Sequence, residues 1–320
     1  SRVSGQRRQA KGTGGLFGRT AATSEASLRW QLSISDVHIM GMVGQHYHNC
    51  LYSKHVGSHI VKMVIFVDVI ILSSDSVSVA NEVKALLMNR FKMSDLGELA
   101  WFLGIEFKRD SECITINQSL HLKKLLAKHN MSECKPAKTP CIEKVNFDDD
   151  CTPSHVSNDV YRSLIGSLVY VMHCTRPDLC WIISKLCQYL HVPVTQQRWN
   201  AVKRLLRYIQ GTLSYSLRFM KCEVTEIRGY CDADWAGSRD RKSTSGFCFT
   251  LGEHTSLISW KSKRQSIVAL STCEAEYVAL SAAFQEGLYL RQLVTDIDST
   301  VENDVSMFSD SQSAISLAMN

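Results

Sequence analysis

Apolar and polar positions alternate most clearly in the last third of the chain. Across residues 227–234, Tyr230, Asp232 and Asp234 fall on one side of a period-two pattern, and Cys231 and Ala233 fall on the other. That pattern predicts a half-buried strand. Residues 246–251 and 257–261 predict two more, joined by a short turn at Gly252-Glu253, so that the three form an antiparallel meander. A long helix then opens at Ser271, residues 305–309 form a short buried strand, and a helix of about two turns follows Asp310. Upstream, residues 61–72 read as two buried strands around a tight turn. Residues 78–91 read as an amphipathic helix carrying Val79, Val83, Leu86 and Leu87 at helical spacing.

Residues 99–107, with Gly104 inside, predict a strand whose partner is 113–116. Residues 120–129 predict a helix with Lys123, Lys124 and Lys128 facing outward. Residues 161–190 read as helix in two pieces, broken at Arg176-Pro177. A further helix over 197–210 has Trp199, Val202, Leu205, Leu206 and Ile209 on one side, Lys203, Arg204 and Arg207 on the other, and Gly211 as its stop. Between them, residues 135–158 contain Pro136, Pro140, Pro153 and the acidic run 148–150, and read as a linker. Residues 1–30 hold six basic residues and one acid among Gly and Ser, a composition that predicts disorder.

Composition narrows the class. With 320 residues, 45% hydrophobic and 21% charged, the chain can bury two cores of ordinary size. No apolar run reaches membrane-spanning length; the longest, residues 60–72, contains Lys62 and Asp68. Twelve scattered cysteines without a CxxC pair suit free thiols, and hence an intracellular setting, cytoplasmic or nuclear. His46, His48 and Cys50 alternate, but zinc takes four ligands and no partner pair accompanies them. Net charge is +5 and unevenly spread. Residues 151–222 hold nine Lys/Arg against two Asp/Glu, and residues 223–320 hold eight against fourteen. A basic segment beside an acidic one suits phosphate contacts next to a metal-dependent site, and equally suits two ordinary solvated surfaces.

Three acids stand where elements begin or end: Asp232 in the first meander strand, Glu276 early in the long helix, and Asp310 after the last strand. If the two strands are neighbours and the helix crosses the sheet, the three converge. Like charges gathered this way repel, and divalent cations offset the repulsion. Ser271 and Glu274 have the S-x-x-E spacing of a capping box, which gives Glu274 a structural role. Glu276 shares a stripe with Ala279, Leu280, Ala283 and Gly287, whose small residues let the helix approach the sheet. The choice between Asp232 and Asp234 stays open on these grounds.

The runs GYCDADWAGSRDRKSTSGFCFTLGE, LISWKSKRQSIVALSTCEAEYVALSAAFQEGLYLRQL and FSDSQSAISLAMN closely resemble the ribonuclease H domain of copia-type retrotransposon polyproteins. FVDVIILSSD, MSDLGELAWFLGIEF and LIGSLVYVMHCTRPDLCW…WNAVKRLLRYIQGTL resemble the end of the same family's reverse transcriptase. The resemblance covers roughly residues 50–320. It implies an α+β polymerase palm/thumb remnant followed by an α/β ribonuclease H-like domain with a mixed sheet. The implied layout is residues 1–45 disordered and unassigned, 46–134 palm/thumb remnant, 135–158 linker, 159–222 helical connection, and 223–320 ribonuclease H-like.

The resemblance implies Asp232, Glu276 and Asp310 as catalytic and metal-holding residues for a pair of Mg2+ or Mn2+ ions, with RNA–DNA hybrid or other nucleic acid as partner and no membrane. It makes Asp68 the remnant of the polymerase aspartate pair, whose second member is here Val69. Asp36 is a poor match for the first polymerase aspartate. Lys203, Arg204, Arg207, Lys261, Lys263 and Arg264 are candidates for nucleic-acid contact, with a plain charged surface as the alternative. Family members continue past the last helix into a strand and helix carrying a fourth acid, so the domain is expected to be truncated here. Two readings follow: hydrolysis of RNA in hybrids with polymerase chemistry lost, or a non-catalytic nucleic-acid-binding remnant of a transposable element.

Overall fold

A computed structural model describes residues 24–29, 42–44, 50–67, 69–142, 147, 152–221, 226–253, 255–298 and 304–319. The described residues form a mixed α/β structure whose strands lie in three sheets. The chain divides into two compact units. One comprises Ser1–Asp95, Lys221–Thr225 and Arg291–Asp304, and the other Leu96–Met220, Glu226–Leu290 and Val305–Asn320.

In the first unit, strands β1 (Ser24–Arg29), β2 (Val43–Gly44), β3 (Leu51–Val56), β4 (His59–Phe66) and β5 (Val69–Ser74) precede helix α1 (Val77–Arg90), and strand β6 (Ser94–Glu98) begins where the first segment of that unit ends. The sheet order is β2-β3-β4-β5-β1-β6. β4 and β5 are the expected hairpin, closing with Phe66 opposite Val69. Val61, Met63, Ile70 and Leu72 bury one face under Val79, Val83 and Leu87 of α1. Leu86 does not join them and is exposed. At 100° per residue it sits about 75° from the centre of the Val79–Ala80–Val83–Leu87 stripe, at its edge. Within the stretch read as disordered, Ser24–Arg29 pairs antiparallel with β5, which satisfies backbone groups of both strands. Asp36, His46, His48 and Asp68 lie outside the described residues.

The second unit begins with β7 (Trp101–Phe102), β8 (Ile105–Arg109) and β9 (Cys113–Asn117), then α2 (Ser119–Lys128). The single strand expected over 99–107 is a hairpin, because Leu103 (φ 51°) and Gly104 (φ 77°) turn the chain back with Phe102 opposite Ile105. Helices α3 (Asn158–Cys174), α4 (Cys180–Cys187) and α5 (Gln196–Gly211) follow, with a 3-10 turn Pro177–Leu179 at the expected break. There Arg176 is 1% exposed, and it donates to both Asp178 carboxylate oxygens, at 2.9 and 2.7 Å, and to Thr212 Oγ1 at 2.7 Å. Leu122, Leu126, Leu164, Leu168, Ile183, Leu186, Leu205 and Leu206 form the main core of the helices.

Part of the segment read as linker packs onto this core. Arg207 Nε donates to the Lys135 carbonyl at 2.7 Å, the Ala137 N–H donates to the Arg207 carbonyl, and Phe147 is buried edge-on to Tyr189. Gly211, expected as a helix stop, is the last helical residue without positive φ. A Cβ there would lie 2.9 Å from Pro136, so its role is close approach of this segment.

Strands β10 (Leu217–Met220), β11 (Glu226–Asp234), β12 (Thr244–Leu251) and β13 (Leu257–Arg264) come next, followed by α6 (Thr272–Ile297), β14 (Asp304–Phe308) and α7 (Gln312–Met319). β10 joins the sheet β10-β9-β8-β7, while the meander forms the sheet β13-β12-β11-β14. β11, which bears Asp232, and β14, which leads to Asp310, are therefore neighbours. The Trp260 indole of β13 donates to the Met172 carbonyl of α3 at 3.0 Å, joining meander and helices.

Candidate functional site: a carboxylate cluster

α6 starts as its spacing predicts. The Glu274 N–H donates to Ser271 Oγ at 3.1 Å, and the Glu274 carboxylate accepts from the Leu270 N–H at 2.7 Å. Glu274 is thereby committed to the helix end. Ala275, Ala279 and Ala283 are fully buried, and a Cβ on Gly287 would lie 2.9 Å from Val305 Cγ1. The small-residue stripe thus sets the helix close against the sheet and turns Glu276 inward, to 8% exposure.

Asp232 on β11, Glu276 on α6 and Asp310 after β14 each offer one carboxylate oxygen, and all three oxygens lie within 4.8 Å of one another. Asp234 is outside this group. Its carboxylate occupies the space beside Gly237 where a Cβ would stand, a local role in the turn after β11. The cluster therefore includes Asp232 and not Asp234.

The cluster is electrostatically frustrated. Burial raises the Glu276 pKa above the usual carboxylate range. The Ala233 N–H, donating to the carboxylate, opposes that shift, and the Asp232 and Asp310 charges add to it. Cys231 is pushed up to about 11, first by burial and then, against a Ser309 hydrogen bond, by the same three acids. Glu276 Oε2 is buried without a hydrogen-bond partner, which costs about 1–3 kcal/mol where nothing else satisfies it. Three hard oxygen donors within reach of one another are the donor set that a hard divalent cation takes.

A carboxyl with a raised folded pKa binds its proton more tightly folded than unfolded. Its contribution to metal-free stability is full below the ordinary glutamate value of 4.5 and is lost as pH rises through the raised value. In chelator, Glu276→Gln is therefore expected to lose less melting temperature than the parent between about pH 4 and pH 8. Parallel melting-temperature profiles for the two proteins would contradict this.

One contributor carries no sequence signal. Gln265, 6% exposed, donates through Nε2 to Ser245 Oγ and to the Ala275 carbonyl, both at 2.9 Å. It ties the end of β13 to the helical turn that carries Glu276. Nothing in KSKRQS distinguishes a buried tether from a solvated glutamine.

The basic candidates separate. Lys261 and Lys263 are exposed on β13. Arg264 is ion-paired with Asp240. Lys203 is half-buried on α5. Arg204 donates to Thr139 Oγ1 at 2.8 Å, and Arg207 holds the Lys135 carbonyl, so both clamp the 135–139 segment. The ten described cysteines are all free thiols. Among the described residues no helix is long and apolar enough to cross a membrane.

A family profile described as reverse transcriptase (RNA-dependent DNA polymerase) matches residues 20–143, which carries the similarity upstream of residue 46 into the stretch read as unassigned. The chain is 32% identical over 282 residues to the retrovirus-related Pol polyprotein from transposon RE2 of Arabidopsis thaliana, covering 88% of this chain and 19% of that protein. It is likewise 32% identical over 281 residues to that from transposon TNT 1-94 of Nicotiana tabacum, covering 85% and 21%. An uncharacterized mitochondrial protein of Arabidopsis thaliana is 35% identical over 225 residues, 70% of this chain and 92% of that protein. The chain spans about a fifth of the length of the two Pol polyproteins.

Proposed function

Because this chain belongs to the copia-type family of retrovirus-related transposon Pol polyproteins, as a reverse transcriptase-like segment of them, we propose that residues 223–320 form a ribonuclease H-like domain that hydrolyses the RNA strand of RNA–DNA hybrids. The observation that carries the proposal is the convergence of Asp232, Glu276 and Asp310, together with a Glu276 carboxylate oxygen buried without a hydrogen-bond partner. Mg2+ or Mn2+ held by these three would supply Lewis-acid chemistry, lowering the pKa of a bound water and stabilising charge on a departing oxygen. The chain's own part is positional. β11 and the turn after β14 present two exposed carboxylates, while α6 presents a third from a desolvated position where its charge interacts strongly. A magnesium-dependent cleavage assay on a labelled hybrid tests this. Hybrid binding without cleavage would assign the chain to the non-catalytic alternative.

On the same reading the polymerase reaction is lost. Val69, the first residue of β5, stands where the family's second turn aspartate would be and offers no cation ligand. Primer extension on a poly(rA) template with magnesium or manganese is expected to stay at the level of a no-protein control, and measurable extension would refute this.

Of the six basic candidates, Lys261 and Lys263 are the ones we assign to phosphate contact, since both are exposed on one strand. Replacing both with Ala is expected to lower the slope of log affinity for hybrid against log salt by about 2, roughly one per lysine. Arg204→Ala and Arg207→Ala are expected to cost stability instead. An unchanged salt slope in the double lysine variant would remove β13 from the interface.

A further inference from the structure

The geometry points to a second site in the unit that holds the carboxylate cluster: a pocket for a phosphate group, built around Arg198. It encloses about 790 Å3, and its lining includes Arg198, Lys185, Arg239, Arg264, Asp240 and Tyr189 but none of the three clustered acids. That volume lies within the range of small-molecule sites. Among the described residues that line it, Arg198, Lys185, Arg239 and Arg264 are basic and Asp240, paired with Arg264, is acidic.

Arg198 is the unusual member. It sits in the first turn of α5 at 5% exposure. Its Nε donates to Thr195 Oγ1 at 3.0 Å, and its guanidinium lies over the Tyr189 ring, 5.0 Å from the centroid. These two contacts hold the planar group in place. One terminal nitrogen, Nη1, is nevertheless buried with no hydrogen-bond partner.

A desolvated cation with an unused donor is costly unless an anion completes it. A guanidinium held in one orientation is matched by an oxyanion that accepts two parallel N–H bonds. Lys185 lines the same space, and a second cation beside Arg198 favours a phosphate over a singly charged carboxylate. The phosphate is carried either by a free nucleotide or by a nucleic-acid strand. The inference does not depend on the hydrolytic reading of the acid cluster.

The test is calorimetric titration of the full chain in chelator with inorganic phosphate, with thymidine 5′-monophosphate, and with a 5′-hydroxyl deoxythymidine oligomer. Inorganic phosphate is expected to bind at one site and to compete with thymidine monophosphate. Arg198→Gln and Lys185→Gln are each expected to weaken phosphate binding about ten-fold or more. Lys185→Gln covers the case in which loss of the Thr195 and Tyr189 contacts unfolds the Arg198 variant. Asp232→Asn is expected to leave phosphate affinity unchanged, which separates failure here from failure of the nuclease reading. Competition by the oligomer identifies a strand as the phosphate source, and competition by the monophosphate alone identifies a free nucleotide. Absence of saturable phosphate binding by the parent chain, or binding that both folded variants retain within two-fold, would overturn the assignment.

Discussion

Asp232→Asn is expected to reduce magnesium-dependent cleavage of an RNA–DNA hybrid by about 100-fold or more, while the metal-free protein stays as stable as the parent or becomes more stable. The two effects have one cause. Asp232, Glu276 and Asp310 bring oxygens within 4.8 Å of one another, and the first and third charges both help to hold the Glu276 pKa up. Removing one charge from such a set relieves repulsion when no cation is present. It also removes a ligand when a cation is present. Losing about 3 kcal/mol of transition-state stabilisation corresponds to roughly two ten-fold steps in rate. A cleavage time course gives the first number. Melting curves with and without magnesium give the second, with the metal-induced shift of the parent diminished in the variant. Equal metal-induced shifts in parent and variant would show that Asp232 holds no cation. A variant less stable than the parent in chelator would show that its role is structural.

Gly229→Ala is expected to destabilise the chain by about 2 kcal/mol, against what strand propensity predicts. Alanine in a strand interior ordinarily improves on glycine by about 0.5–1 kcal/mol. Gly229 lies mid-β11 and is buried, however, and a Cβ there would run into the Phe249 ring and stand 2.5 Å from Met307 Sδ. Phe249 is itself fully buried, with Phe247 edge-on to it, and Gly287 of α6 closes over the same ring, where a Cβ would lie 3.3 Å from Phe249 Cε1. The ring has nowhere to go, so the added methyl either forces it off its rotamer or pushes β14 and α6 outward, at about 1–3 kcal/mol for overpacking of this kind. Because Asp310 follows β14 and Glu276 lies on α6, the same displacement would spread the carboxylate cluster. A fall in melting temperature of roughly 4–8 °C is expected, together with weaker stabilisation by magnesium. A melting temperature equal to or above the parent's would mean that the sheet accommodates the methyl without moving.

The local elements of this protein are written in its sequence because their causes are local. The alternation through Tyr230, Cys231, Asp232 and Ala233 defines a strand with a wet and a dry face. Ser271 with Glu274 marks a helix start, and Arg176-Pro177 marks a break. The motifs from Gly229 to Asn320 resemble those of the family. What the sequence leaves undecided are matters of distance between residues far apart in the chain.

Asp232 and Asp234 sit on one face of one strand and are equivalent to any pattern. They differ only because α6 and β14 approach the first, while the second folds onto the Gly237 turn. Arg204 and Arg207 read as a basic face turned either to nucleic acid or to solvent, whereas the 135–139 segment lies against them. Leu103-Gly104 reads as strand until both residues take positive φ. No sequence pattern singles out Arg198, and only the packing of Thr195 and Tyr189 against it holds its guanidinium at a pocket. Periodicity reports which way a side chain points from its own backbone. Which partner stands there, and whether water or protein fills the gap, follows from packing between segments whose spacing in sequence carries no record of their meeting.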